Sequence, residues 1–180
     1  MPWWGSSAEL GGAEPKRKNR FLLKINSKNQ YAVKSVTKPT VNIETKEFNM
    51  INHVYTYPGI AKWDPITVTF VDGDSNNTTV TDSLQTSKDF YNYLTTSGYV
   101  KPNSRSKTSK SSPSKSDMKS KVFGNSLQIQ LLTPDGETTI ENWTLFNPII
   151  TKLSWGDLSY EDDSFIEYSM DIKYDWAELE

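Results

Sequence analysis

The chain of 180 residues has no cysteine and a single histidine, His53. Without cysteine there are no disulfides, no thiol nucleophile and no thiolate metal site. One histidine excludes paired-histidine zinc sites and leaves little room for a Ser-His-Asp triad. Long apolar runs are also missing. None approaches the ~20 residues of a membrane span, and the opening MPWWGSSAELGGAEPKRKNR has no apolar stretch after its charges, so no secretory signal is expected. Large apolar residues are scarce: Leu, Ile, Val and Phe together supply 39 of 180 residues. That share lies near the ~20% at which chains tend to be disordered, but the net charge is only −2 and 12% of residues are aromatic, which argues for a packed protein. The deficit is local. Residues 1–20 and 101–121 contain only Leu10 from that set; the rest of the chain has 38 such residues in 139.

The small net charge conceals an uneven distribution. Residues 1–20 carry +2, 21–100 are neutral, 101–121 carry +6 and 122–180 carry −10. The basic segment KPNSRSKTSKSSPSKSDMKSK holds Lys101, Arg105, Lys107, Lys110, Lys115, Lys119 and Lys121 and cannot bury enough apolar surface to offset its ordering entropy. It is expected to be a flexible insertion, and residues 1–20, with Trp3 and Trp4, a flexible arm. The remainder, 21–180 apart from that insertion, is expected to be one β domain.

Its pattern is mostly of period two. Phe21, Leu23 and Ile25 alternate with Leu22 and Lys24; Tyr31 and Val33 share a face; Val41, Ile43 and Thr45 alternate with polar residues; Ile66, Val68 and Phe70 do the same, as do Leu127, Ile129 and Leu131. Further strands are expected at 138–146 and 148–155, split by Asn147-Pro148, after a Pro134-Asp135-Gly136 turn. The longest alternation places Ile166, Tyr168, Met170, Ile172, Tyr174 and Trp176 on one face, long enough to cross two sheets or project beyond one subunit. One stretch has helical spacing: Val80, Leu84, Tyr91 and Leu94, closed by Gly98, predict a helix over about 81–97. The expected class is mainly β, a sandwich or barrel of two packed antiparallel sheets with one flanking helix.

Chemical motifs are weak. Asp72, Asp74 and Asn76 resemble half a calcium loop, but Asn77 and Ser83 stand where Gly and Glu are needed. Glu161, Asp162 and Asp163 read as a solvated turn. Nothing brings Asp72 and Asp171 together as a carboxylate dyad. Asn76, Asn77 and Asn142 begin glycosylation sequons, read as chance without a signal segment. The basic segment would attract phosphate, yet it has no aromatic on which bases could stack. No cofactor, no metal site and no enzymatic activity are expected.

Several segments taken in order carry a resemblance: SVTKPTVNIETKEF, YPGIAKWDPITVTFVD, TDSLQTSKDFYNYLTTSGY, and NPIITKLSWGDLSYEDDSFIEYSMDIKYDWAEL. Over about residues 20–99 and 122–179 the chain resembles the tail tube proteins of T-even-type contractile-tailed phages, a family related in fold to the tubes of bacterial injection systems. The resemblance implies a structural virion protein that forms homohexameric rings, with strands paired between neighbours, and stacks them into a tube. The tube would template the sheath and conduct DNA. The implied partners are other copies, the sheath protein, and baseplate and terminator proteins; the implied location is the virion, with host cytoplasm during assembly. By the same resemblance residues 47–60 match an extended loop touching the neighbouring ring, with Met50, Ile51, Val54 and Tyr55 as contacts, while Glu167 and Asp171 would face an acidic lumen. The basic insertion, absent from the minimal pattern, would face outward. A baseplate-proximal tube initiator and the tube of a non-phage device remain alternatives. A sugar-binding β-sandwich is disfavoured because Tyr168, Tyr174 and Trp176 share a face with Ile166 and Ile172.

Overall fold

A computed structural model describes residues 16–73, 87–100, 112–161 and 163–180. Eleven strands are present among them. They are β1 (Phe21–Ile25), β2 (Lys28–Gln30), β3 (Val33–Val36), β4 (Val41–Met50), β5 (His53–Trp63), β6 (Ile66–Val71), β7 (Ser126–Leu132), β8 (Thr139–Phe146), β9 (Ile149–Ser154), β10 (Glu167–Lys173) and β11 (Trp176–Leu179). Two helical segments lie between β6 and β7: α1 (Ser87–Thr96), and α2 (Lys115–Asp117), which runs on as a π-helical turn over Met118–Val122.

All pairings are antiparallel. One sheet has the order β11-β8-β7-β1-β2, a second β3-β6-β10-β9, and β4 pairs with β5 as a separate hairpin. The alternation read from the sequence is the alternation of burial. In β6 it buries Ile66, Val68 and Phe70, in β7 Leu127, Ile129 and Leu131, and in β10 Tyr168, Met170 and Ile172. All of these but Leu131 belong to one buried cluster between the two larger sheets, joined by Leu23, Ile25 and Leu145. Such two-layer packing of half-apolar sheets is the ordinary solution for burying both inner faces.

Helix α1 closes the core beside the start of β10. Its Phe90 is fully buried, 4.7 Å from the Tyr168 ring and 6.0 Å from Phe70. Trp155 covers it edge-on at 5.7 Å. The Tyr168 hydroxyl donates to Asp72 at 3.3 Å, so the polar tip of a buried ring is satisfied. Burial, with Asp72 beside it, pushes that hydroxyl well above the ordinary tyrosine range. The helix stops at Gly98, whose φ of +106° is left-handed. Residues 81–86, where the sequence places the helix start, lie outside the described residues.

Three expectations change. The final alternation is not one strand: it ends at Lys173, and after Tyr174-Asp175 the chain enters the other sheet as β11. Ile166 and Trp176, at its two ends, are therefore exposed rather than core; Trp176 stacks on Phe146 with ring centroids 5.0 Å apart. Tyr31 is exposed as well, because β3 begins only at Val33. Residues 114–121, expected to belong to a flexible insertion, are helical and anchored. Ser114 caps α2 by accepting from the Asp117 amide at 3.0 Å, its own amide donates to the Ser97 carbonyl, and Lys121 pairs with Asp117 one turn on. The turn delivers Val122 and Phe123, both buried, into the core. Lys101, Arg105, Lys107 and Lys110 lie outside the described residues.

Phe90 fills a site that nothing nearby can collapse into without moving two aromatic rings. Phe90→Ala is expected to cost ~3–5 kcal/mol, read as a lower urea midpoint with little change in the slope of the transition.

Candidate assembly surfaces

The hairpin β4–β5 projects from the body. Every residue of β4 is exposed, and β5 is exposed except at Gly59 and Trp63, which are half-buried. Its register pairs Lys46 with Tyr57, Phe48 with Tyr55 and Met50 with His53. Directly opposed residues share a face, so Phe48, Met50, Tyr55 and Tyr57 form one apolar stripe, with the His53 ring edge-on to Tyr55 at 4.7 Å. Val54 lies on the other face, opposite Asn49. Near the base, a bulge between Ile43 and Thr45 brings Gly59 so close to the Glu44 carbonyl that a Cβ would sit 2.9 Å from the oxygen.

The tip is unusual. Ile51 is 99% exposed and has φ +48°. A β-branched residue in the left-handed region costs roughly 1–2 kcal/mol, and a fully exposed side chain recovers none of it within the subunit. A lone two-stranded hairpin is marginal in water. The four expected contact residues are thus brought to one projecting element, with Met50 and Tyr55 on the stripe, Ile51 at the tip and Val54 behind. Phe48 and Tyr57, at two-residue spacing from Met50 and Tyr55, share that stripe although the sequence analysis did not single them out.

The outward face of the four-stranded sheet is polar. Glu167 and Asp171 both lie on it, half-buried. Lys34 pairs with Glu167, and the Thr67 hydroxyl donates to Asp171 at 2.7 Å. Lys152 stands opposite Asp171 in the register, and Lys173 follows on the same face. The two carboxylates therefore sit among three ammonium groups. Asp72, tied to Tyr168 and to the Ser87 amide, has separate partners from Asp171, so no dyad forms. Among the described residues no three metal-ligating side chains cluster. No described helix is long and apolar enough to cross a membrane.

Of the basic residues in the insertion, Lys115 forms an ion pair with Asp175 at 2.8 Å, and Lys121 is taken up by Asp117. Lys119, half-buried on the π-helical turn, adds its charge near Asp175. These cations serve the junction between α2 and the β10–β11 corner.

A groove of about 700 Å³ lies between β3 and the five-stranded sheet. Its walls include Phe21, Val36, Ile129, Leu131 and Trp143, and Lys18 and Lys34 stand at its rim. At its floor the nearly buried Glu141 accepts from Lys16 at 2.7 Å, from Lys38, and from the Trp143 indole at 2.7 Å. Hydrogen bonds from the two lysines and the indole pull the Glu141 pKa down to about 2, against the desolvation that would raise it.

Comparison with known proteins gives a consistent answer. The family model described as T4-like virus tail tube protein gp19 matches residues 17–178. No curated protein matches in sequence. Among solved structures, the chain is similar to a subunit of the PVC sheath-tube complex of an extracellular contractile injection system in its extended state, at 12% identity, 98% coverage of each chain and TM-score 0.66. It is similar too to the tube terminating cap of the anti-feeding prophage, at 14% identity, 93% and 92% coverage and TM-score 0.64. At such identities the likeness is one of fold.

The Glu141 cluster gives a signed pH dependence. Its folded pKa is depressed, so its contribution is fully present above the ordinary carboxylate pKa near 4.5 and is lost as pH falls toward about 2. Glu141→Gln is expected to flatten that part of the acid limb of thermal stability between those values, measured by melting across pH.

Proposed function

The chain belongs to the T4-like virus tail tube protein family, and from that premise we propose that it closes into hexameric rings that stack as the inner tube of a contractile tail. The family places it as a structural tail tube component. The ring, its stacking and its cargo are the proposal.

The hairpin carries this reading. Its apolar stripe of Phe48, Met50, Tyr55 and Tyr57 has no core to cover it, and its tip holds a strained, fully exposed isoleucine. Burying an apolar side chain of this size is worth roughly 1.5–3 kcal/mol. Burying several against a stacked copy would offset the tip strain and stiffen an element that cannot stand alone. Surfaces of this kind mark interaction sites.

Ring closure has a second support. The four-stranded sheet ends in two edge strands, β3 and β9, which run in opposite directions. If β9 of one copy meets β3 of the next, the joined sheet stays antiparallel throughout, and six repeats close it. Closure removes both unpaired edges, each of which would otherwise template aggregation. The interface is heterologous and closes on itself, as a ring requires. The outward face with Glu167 and Asp171 would then line the lumen. Its carboxylates alternate with Lys34, Lys152 and Lys173, so DNA would meet neither a continuous basic track nor an apolar one. A sheath, a baseplate and a terminator are the partners such a tube would need, and the resolved surface of α2 with Lys119 would lie on its exterior. The role is that of scaffold and conduit, without catalysis.

The test is assembly itself. The purified chain is expected to form six-fold rings or tubes by negative-stain electron microscopy. Met50→Asp combined with Ile51→Asp is expected to stop stacking without lowering the monomer's melting stability, since both side chains are exposed and aspartate tolerates the left-handed backbone at 51. A monomer at every concentration, or unimpaired stacking in the double variant, contradicts the reading.

A further inference from the structure

The segment between β9 and β10 is the least explained surface of the body. It is rooted firmly. Trp155 packs against Phe90, and its indole donates to the Ser87 carbonyl at 3.4 Å. Gly156 has φ +70°, and a Cβ there would fall on the Glu167 carbonyl oxygen, so only glycine fits this turn. Beyond that root the segment throws apolar side chains outward. Leu158 is 82% exposed, Phe165 81%, and Tyr160 fully so. Asp157, Glu161 and Asp163 accompany them, and no basic residue lies between Trp155 and Ile166. A firmly held base with exposed apolar and acidic groups has the composition of a plug.

The groove beside β3 has the complementary composition. Its walls are apolar (Phe21, Val36, Leu131 and Trp143), its rim carries Lys18 and Lys34, and its one inward carboxylate, Glu141, is already engaged by two lysines and an indole. Within one subunit the two features belong to opposite edges of the same sheet: the plug leaves β9, the groove borders β3. They come together only between copies. β10 and β3 run in the same direction, so the end of β9 from which the plug emerges faces the Val33–Lys34 end of a neighbouring β3.

We propose that the β9–β10 segment of one copy inserts Leu158 and Phe165 into the groove beside β3 of the next, with Asp157 and Asp163 against Lys18, Lys34 being held by Glu167. The occupant is a second copy of this chain, and the inference rests on the ring reading above. It adds a lock of side chains to a junction that strand pairing alone would hold weakly, and its charge complementarity sets the order of the two edges.

The absence of cysteine makes a direct test possible. Leu158→Cys and Asn19→Cys are made as separate variants, both at exposed positions, Asn19 at the groove rim. Mixed, assembled and mildly oxidised, they are expected to give a covalent dimer that neither variant gives alone, since a disulfide forms only where the two Cα atoms approach within about 7 Å. The variant carrying both substitutions is expected to give a ladder of bands that ends at the ring number. Rings seen by microscopy without the cross-link overturn the lock and leave the ring reading standing. A covalent dimer of Leu158→Cys with itself overturns the lock by showing that the segment meets its own equivalent. A bridge from Asn19→Cys to Trp4→Cys in preference to Leu158→Cys overturns it by giving the groove to residues 1–15. Absence of both rings and cross-link overturns the two proposals together.

Discussion

The burial of two alternating sheet faces against each other is the constraint on which everything else depends. Val68, Phe70, Met170 and Ile172 on one side and Leu23, Ile25, Leu127 and Leu145 on the other form the centre of that core, yet many large apolar side chains of the body stay exposed. What remains cannot reach that core. The hairpin β4–β5 and the β9–β10 segment are left with apolar groups in water, and the four-stranded sheet is left with two open edges. A subunit built this way is an incomplete object. In the proposed ring, copies of itself complete it by bringing matching edges in the right strand directions.

The same logic governs the charged groups of the described residues. Several carboxylates are committed to structure: Glu141 to two lysines and an indole, Asp72 to the start of α1 and Tyr168, Asp175 to Lys115 and Asn147, Asp171 to a threonine hydroxyl. Each ties together elements that are distant in sequence. Charge here holds geometry and covers surface.

Much of the architecture was legible in the sequence, and the reason is physical. Period-two alternation in β6, β7 and β10 is a direct imprint of one buried and one open face. The turns at Pro134-Asp135-Gly136 and at Asn147-Pro148 were readable because Gly136 and Asn147 do adopt positive φ. Three things were not legible. The length of the final alternation allowed for two sheets, but the break after Lys173 leaves the alternation itself unbroken, so nothing local marks where the sheet changes. The turn over residues 115–122 lies in a Ser- and Lys-rich stretch whose composition signals disorder, and it forms because of tertiary anchors: the Ser97 carbonyl, Asp175 and the buried Val122-Phe123 pair. Residues 41–45 read as a strand, but the rest of the hairpin, 47–60, did not, because its apolar side chains point toward no core of their own. Its significance is visible only once the rest of the fold shows that no core is there to receive it.

Hydrogen exchange on the hairpin and on the two edge strands addresses the central claim, that these surfaces are completed by other copies. Amides of residues 42–62, β3 and β9 should exchange quickly in dissociated subunits and slow strongly in assembled tubes, while amides of β6, β7 and β10 are slow in both. Equal exchange of the hairpin and edge strands in the two states would contradict the account.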